Sequence, residues 1–156
     1  MLKMETEIER VAIFHQEHYP IVYVSFQPIP ITDENYEKYK EDYLRLLLSC
    51  QEKNEKILMI MNINTFSNES FPLLFFKKQL EFHKQIQHIT DVYLLGICIY
   101  CENKLIKNIL KTALSLQPKH IPICICRSIE KINHFIEKHS SLSSFDILTY
   151  ISNSSF

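Results

Sequence analysis

The sequence predicts an α/β fold in which an N-terminal hairpin is followed by alternating helices and mainly parallel strands. Three observations predict it. Leu94-Leu95-Gly96-Ile97-Cys98-Ile99-Tyr100-Cys101 is almost wholly apolar, and Ile121-Pro122-Ile123-Cys124-Ile125-Cys126 is a second such run. Between them, Asn103 to Gln117 carries apolar residues at helical spacing. Two strands without polar alternation, joined by an amphipathic helix, make a β-α-β unit whose strands are covered on both faces.

The elements follow in order. Val11 to Gln16 and Ile21 to Gln27 read as two strands, turned by Glu17-His18-Tyr19-Pro20. In the second, Val22, Val24 and Phe26 share one face, and Ile21, Tyr23 and Ser25 the other. Pro28 and Pro30 end it, because proline cannot donate to a ladder. Thr32 reads as the N-cap of a helix to about Gln51, with Asp33 and Glu34 in its first turn. Tyr36, Tyr39, Tyr43, Leu47 and Cys50 form its apolar stripe, which predicts packing on the sheet with the hydroxyls at the rim. Ile57 to Met61 is the buried part of a third strand, followed by a polar loop from Asn62 to Ser70.

Pro72 sits where a helix can begin, and that helix is predicted to run to about Ile89. Phe71, Phe75, Phe82, Ile86 and Ile89 fall on one side of it; Leu73, Phe76, Leu80 and His83 fall on another. Packing on a sheet requires one stripe, so the second predicts an interface with a neighbouring helix or a partner chain. In the helix after Cys101, Ile106, Ile109, Leu110, Ala113 and Leu114 are expected to face inward, opposite Lys104, Lys107 and Lys111. Ser128 reads as the cap of a last helix to about His139, with Ile129, Ile132, Phe135 and Ile136 on its apolar side. Residues 1–139 therefore read as one domain. Ser140 to Phe156 contains seven serines and reads as a C-terminal tail, with enough apolar surface to dock on the body.

Bulk properties narrow the function. A chain of 156 residues, 46% hydrophobic and 22% charged, suits one domain with a sizeable core. A net charge of −1 creates no global attraction to nucleic acid or an acidic membrane. The longest apolar run, Tyr93 to Cys101, is too short to span a bilayer. Met1 to Arg10 is too acidic for a secretory signal. Five cysteines, four of them in predicted buried strands, fit a reducing cytoplasm better than a disulfide framework. A single glycine excludes the glycine-rich phosphate loops.

Several stretches carry a family resemblance: Pro20-Ile21-Val22-Tyr23-Val24 followed by Thr32-Asp33-Glu34-Asn35-Tyr36, the strand Ile57 to Met61, Gly96-Ile97-Cys98-Ile99-Tyr100, Leu116-Gln117-Pro118, Pro122-Ile123-Cys124 and Ile132-Asn133-His134-Phe135-Ile136. Over about residues 11 to 139 the pattern resembles the STAS-type fold of anti-sigma-factor antagonists, a right-handed β-α superhelix. It is closest to small bacterial STAS/SEC14-like single-domain proteins. The resemblance implies a regulatory or ligand-sensing interaction module more than an enzyme. In the phosphorylated antagonists an acceptor serine opens the helix after the third strand, within an Asp-Ser-Ser/Thr-Gly type motif. The matching stretch here is Ser67-Asn68-Glu69-Ser70-Phe71-Pro72, which lacks the aspartate and the glycine. Ser70 keeps the position at the helix start, where an N-cap explains it equally well.

The remaining candidates are weighed on chemistry. Cys98 and Cys101 have the spacing of a metal or redox pair, but residues three apart in a strand point to opposite faces. Cys124 and Cys126 share a face and could meet Cys98 or Cys101 if their strands are adjacent. Buried free cysteine is common as a small hydrophobe, so no metal site and no cofactor are expected, and Cys98 and Cys124 should be buried, reduced and slow to react. Cys101, at a strand end before a helix N-terminus, is the best-placed nucleophile, yet Lys107 stands where cysteine phosphatases need arginine. The seven histidines show no convincing ligand spacing. Parallel sheets place ligands at strand C-termini. Asn62, Asn64, Ser67, Ser70, Asn103, Lys104 and Lys107 are therefore the candidate ligand-binding residues, with Glu102 at the same edge, and an anion is the favoured ligand. Leu73, Phe76, Leu80 and His83 are the candidate interface. The expectation is a non-enzymatic module that binds a protein partner or a second copy, with neither nucleic acid nor a membrane span. A sensor or carrier of an anionic ligand or lipid head group comes second, and a cysteine-dependent enzyme third.

Overall fold

The apolar runs become the strands of one sheet. In this computed structural model, which describes residues 9–65, 73–117 and 121–140, β1 (Ala12–His15) pairs antiparallel with β2 (Ile21–Phe26). β3 (Ile57–Asn62), β4 (Leu94–Tyr100) and β5 (Ile123–Cys126) then add in parallel, so the sheet runs β1-β2-β3-β4-β5. The described helices are α1 (Asp33–Lys53), α2 (Leu73–Gln85), α3 (Gln87–Tyr93), α4 (Lys104–Ser115) and α5 (Ile129–His139).

Strand order explains the layers. Parallel strands that follow one another in chain order, joined by crossovers of one hand, place every crossover helix on the same face. That face buries Val22, Val24 and Met59 with Tyr39 and Leu47 of α1, Phe75 of α2 and Ile106 and Leu110 of α4. No strand follows α5 among the described residues, and it lies on the other face. There Ile132, Phe135 and Ile136 join Ile21, Tyr23, Leu58, Ile60, Cys98 and Cys126. The alternation read from β2 is thus the alternation between two cores.

Local signals set the helix ends. Thr32 Oγ1 accepts the Asn35 N–H at 3.1 Å, and Asn35 Oδ1 accepts the Thr32 N–H at 2.8 Å, a reciprocal cap. Asn54 ends α1 with φ 52°, the left-handed conformation that asparagine tolerates well. Ser128 Oγ accepts the Lys131 N–H at 3.3 Å and caps α5.

Two expectations change. The helix predicted to run unbroken to Ile89 ends at Gln85, and α3 begins at Gln87. Ile86 leaves helical geometry (ψ 12°), so the chain changes direction and α3 feeds β4 with no intervening loop. β5 begins at Ile123 because Pro122 has no N–H for the ladder; the Pro122 carbonyl still accepts from Ile97 at 2.9 Å. Ile109, expected inside, is exposed. α4 lies over a four-residue edge strand and fully buries only Ile106 and Leu110. The tail after Ser140 lies outside the described residues, and no helix among those described is long and apolar enough to cross a membrane.

Candidate functional site

The asparagines predicted at the strand ends do come together, and their side chains bond within the protein. Asn62 Nδ2 donates to the Tyr23 hydroxyl at 2.8 Å, and Asn62 Oδ1 accepts the Asn64 N–H at 3.0 Å. Asn64 Oδ1 accepts the Glu102 N–H at 2.6 Å, and the Tyr100 hydroxyl donates to the Glu102 carboxylate. Asn103 Oδ1 accepts the Ile106 N–H at 3.0 Å and caps α4. These side chains tie the ends of β2, β3 and β4 to the start of α4. Ser67 and Ser70 lie outside the described residues. Lys104 is exposed in the first turn of α4. Lys107 follows one turn later, its pKa lowered by desolvation first and then by Lys111, Lys131 and Arg127.

The tyrosine stripe is core. Tyr36, Tyr39 and Tyr43 are buried, and the Tyr39 hydroxyl accepts from Gln79 Nε2 at 2.7 Å. Burial pushes the phenol pKa values up. The second stripe of α2 is also largely used. Phe76, Leu80 and His83 are half-buried, and His83 sits edge-on to Tyr43 with ring centroids 5.3 Å apart. Leu73 opens α2, and its side chain lies outside the described set.

Burial pushes the His83 pKa down to about 4. An unfolded histidine titrates near 6.5. Between these values the unfolded chain binds more protons, so this group's contribution is full above about pH 6.5 and is lost as pH falls toward about 4. The linkage is worth about 2–3 kcal/mol, below the full shift because the ring is partly solvated. Urea unfolding of His83→Gln is expected to fall less between pH 6.5 and 4 than that of the unsubstituted protein. Equal pH slopes for the two proteins would refute the buried neutral histidine.

Adjacency of β4 and β5 assembles a thiol cluster. Cys98 stands in register with Cys124, and all five cysteines are free thiols. Cys98 Sγ lies 3.5 Å from Cys126 Sγ, and Cys124 Sγ lies 3.3 Å from the same sulfur. These separations are shorter than the ~3.8 Å expected between thiolates at tetrahedral zinc distances. No group of three His, Cys, Asp or Glu residues among those described is placed to hold a metal ion. Hydrogen bonds from Cys98, then Cys124, and the charges of Lys131 and Lys107 hold the Cys126 thiol below its ordinary pKa, against the opposing effect of burial. Cys124, expected to be buried, is half-buried on the edge strand. Cys101 reverses its expected tendency: burial raises its pKa against the lowering effects of the Asn103 backbone, Arg127 and Lys107, and its thiol donates to the Asn103 carbonyl at 3.4 Å.

The sequence reading missed the outer surface of α4. Leu105 is 59% exposed, Ile109 36% and Leu116, just past the helix, 78%; Ile123 on neighbouring β5 is 43% exposed. Their signal was available, since Leu105 and Ile109 are one helical turn apart and Leu116 lies two turns beyond Ile109. Lys107, Lys111, Arg127 and Lys131 stand near the same edge, and no ion pair among the described residues engages them. Comparison with protein-family models, with characterised proteins and with solved structures finds no match for this chain.

Proposed function

We propose that the chain is a non-enzymatic regulatory or protein-interaction module of STAS-like type, and that it binds protein through the α4–β5 edge. The observation that carries this reading is the exposed apolar row Leu105, Ile109 and Leu116, beside Ile123 on an edge strand. Burial of such surface stabilises association by roughly 25 cal/mol per Å² before the costs of binding. Among the described residues β5 is the last strand of the sheet, and such an edge presents backbone groups that a second copy can pair across a two-fold axis. A second copy of the chain is therefore the first partner to test. The STAS-like reading is supported by the N-terminal hairpin and by parallel strands in chain order. The non-enzymatic reading is supported by the strand-end asparagines, whose side chains are engaged by hydrogen bonds of the chain itself. A second reading, an anionic ligand or lipid head group, is favoured by Lys107, Lys111, Arg127 and Lys131 clustering without acidic partners among the described residues.

Sedimentation equilibrium separates these readings. Leu105→Glu with Ile109→Glu is expected to weaken self-association about tenfold or more while the far-UV circular dichroism spectrum is retained. Lys104→Glu with Lys107→Glu is expected to change it little. Phe76→Glu with Leu80→Glu is expected to act chiefly on stability, because both positions are half-buried. Loss of anion or anionic-vesicle binding in the lysine variant, with an indifferent α4 row, would favour the second reading instead.

A further inference from the structure

We propose that residues 141–156 dock back on their own chain and cover the second face of the sheet, over β2 and β3. The burial of that face points to it. Ile21 and Tyr23 of β2 are each 1% exposed, and Leu58 and Ile60 of β3 are fully buried. Among the described helices α5 alone lies on that face, and it packs chiefly over β4 and β5, where Phe135 meets Gly96. Neighbouring strands lie about 4.8 Å apart, so β2 stands about 12 Å from the line between β4 and β5. A helix with its side chains reaches only about 5–6 Å from its axis. α5 therefore does not shield Ile21 and Tyr23 by itself. These exposures are those of a single chain, so the cover belongs to that chain and not to a second copy.

The course of α5 delivers the chain to this place. The helix is capped by Ser128, just after β5, and its Phe135 lies against Gly96 near the start of β4. It thus runs back against the strand direction. Ser140 leaves it on the same face, toward the end of the sheet where Ile21 and Ile57 open β2 and β3. The 16 residues that follow can span up to roughly 55 Å when extended, against about 10 Å from β4 to β2. They carry Phe145, Ile147, Leu148, Tyr150 and Ile151, with Asp146 as their one charged side chain. Such a segment gains from apolar burial and loses little by desolvation of charge. Residues 1–8 suit the face less, because Lys3, Glu5 and Glu7 would have to be kept out of it. A segment docked over β2 and β3 leaves the outer side of α4 open, since α4 packs on the opposite face.

The test uses the full chain, with p-benzoylphenylalanine in place of Phe145 in one preparation and of Tyr150 in another. Each is irradiated and read by intact mass and peptide mapping. The expected result is a crosslink within one chain, from one probe or both, to peptides carrying Ile21–Phe26 or Ile57–Asn62. Crosslinks confined to other elements, crosslinks only between chains, or none from either probe overturns the proposal. Two substitutions weigh the burial separately. Ile147→Asp with Leu148→Asp is expected to lower the urea midpoint by about 1 M or more, whichever of these neighbours faces the sheet, and a chain that no longer folds is the same result at its extreme. Leu2→Asp with Met4→Asp is expected to leave the midpoint in place. An unchanged midpoint in the tail variant, or the larger loss in the N-terminal one, overturns the proposal as well.

Discussion

Gly96→Ala is expected to destabilise the protein by about 1–3 kcal/mol, and Gly96→Val by more. Gly96 is the single glycine of the chain and lies within β4. No glycine has a positive φ, so this one is required for space rather than for backbone freedom. A Cβ placed there would stand 2.9 Å from Phe135 Cζ, 3.3 Å from Phe135 Cε1 and 3.1 Å from the Pro122 carbonyl oxygen. The ring belongs to α5 and the carbonyl to the approach of β5, so both partners of β4 would have to move. The carbonyl also accepts from Ile97 at 2.9 Å, which resists that movement. Phe135→Leu should recover part of the loss, and a double-mutant cycle by urea unfolding measures how much. Strict additivity of the two substitutions would contradict the packing described.

Phe75→Ala is expected to cost about 3–5 kcal/mol. Phe75 is 1% exposed and joins α2 to α1 and β2. Its ring centroid lies 5.5 Å from those of Tyr36 and Tyr39 and 5.7 Å from that of Phe26. Edge-to-face pairs at these separations add about 0.5–1.5 kcal/mol each beyond area burial. Phe76→Ala, one residue on and half-buried, should cost clearly less. Chemical denaturation measures both. Equal small losses would mean that α2 does not seal the core on this side.

The sequence made the sheet legible because buried parallel strands are continuous apolar runs and their connecting helices are amphipathic. Thr32 and Ser128 were legible as caps because hydroxyls at helix starts have one local task. The break at Ile86 was hidden, since the apolar spacing continues across it while the chain turns toward β4. The depth at which α2 sits was hidden too, because spacing gives the direction of Phe76 and Leu80 but not how far neighbouring side chains cover them. The strand-end asparagines were correctly gathered. The bonds of Asn62 to Tyr23 and of Asn64 to Glu102 depend on the order of β2, β3 and β4, which only tertiary structure sets. The same holds for the thiols: Cys98 reaches Cys126 only because β4 and β5 are neighbours. For Cys101 the sequence offered one local effect, the helix start, but not the burial that raises its pKa. For α4 the apolar spacing was readable, but the shortness of β5 beneath it decided which residues stay outside.

Amide hydrogen exchange across a protein concentration series tests the binding surface most directly. If the α4–β5 edge joins two copies, amides of Ile123–Cys126 and of the outer side of α4 gain protection as concentration rises, while α2 is unchanged. Protection gained on α2, or at no element across the range, would contradict it.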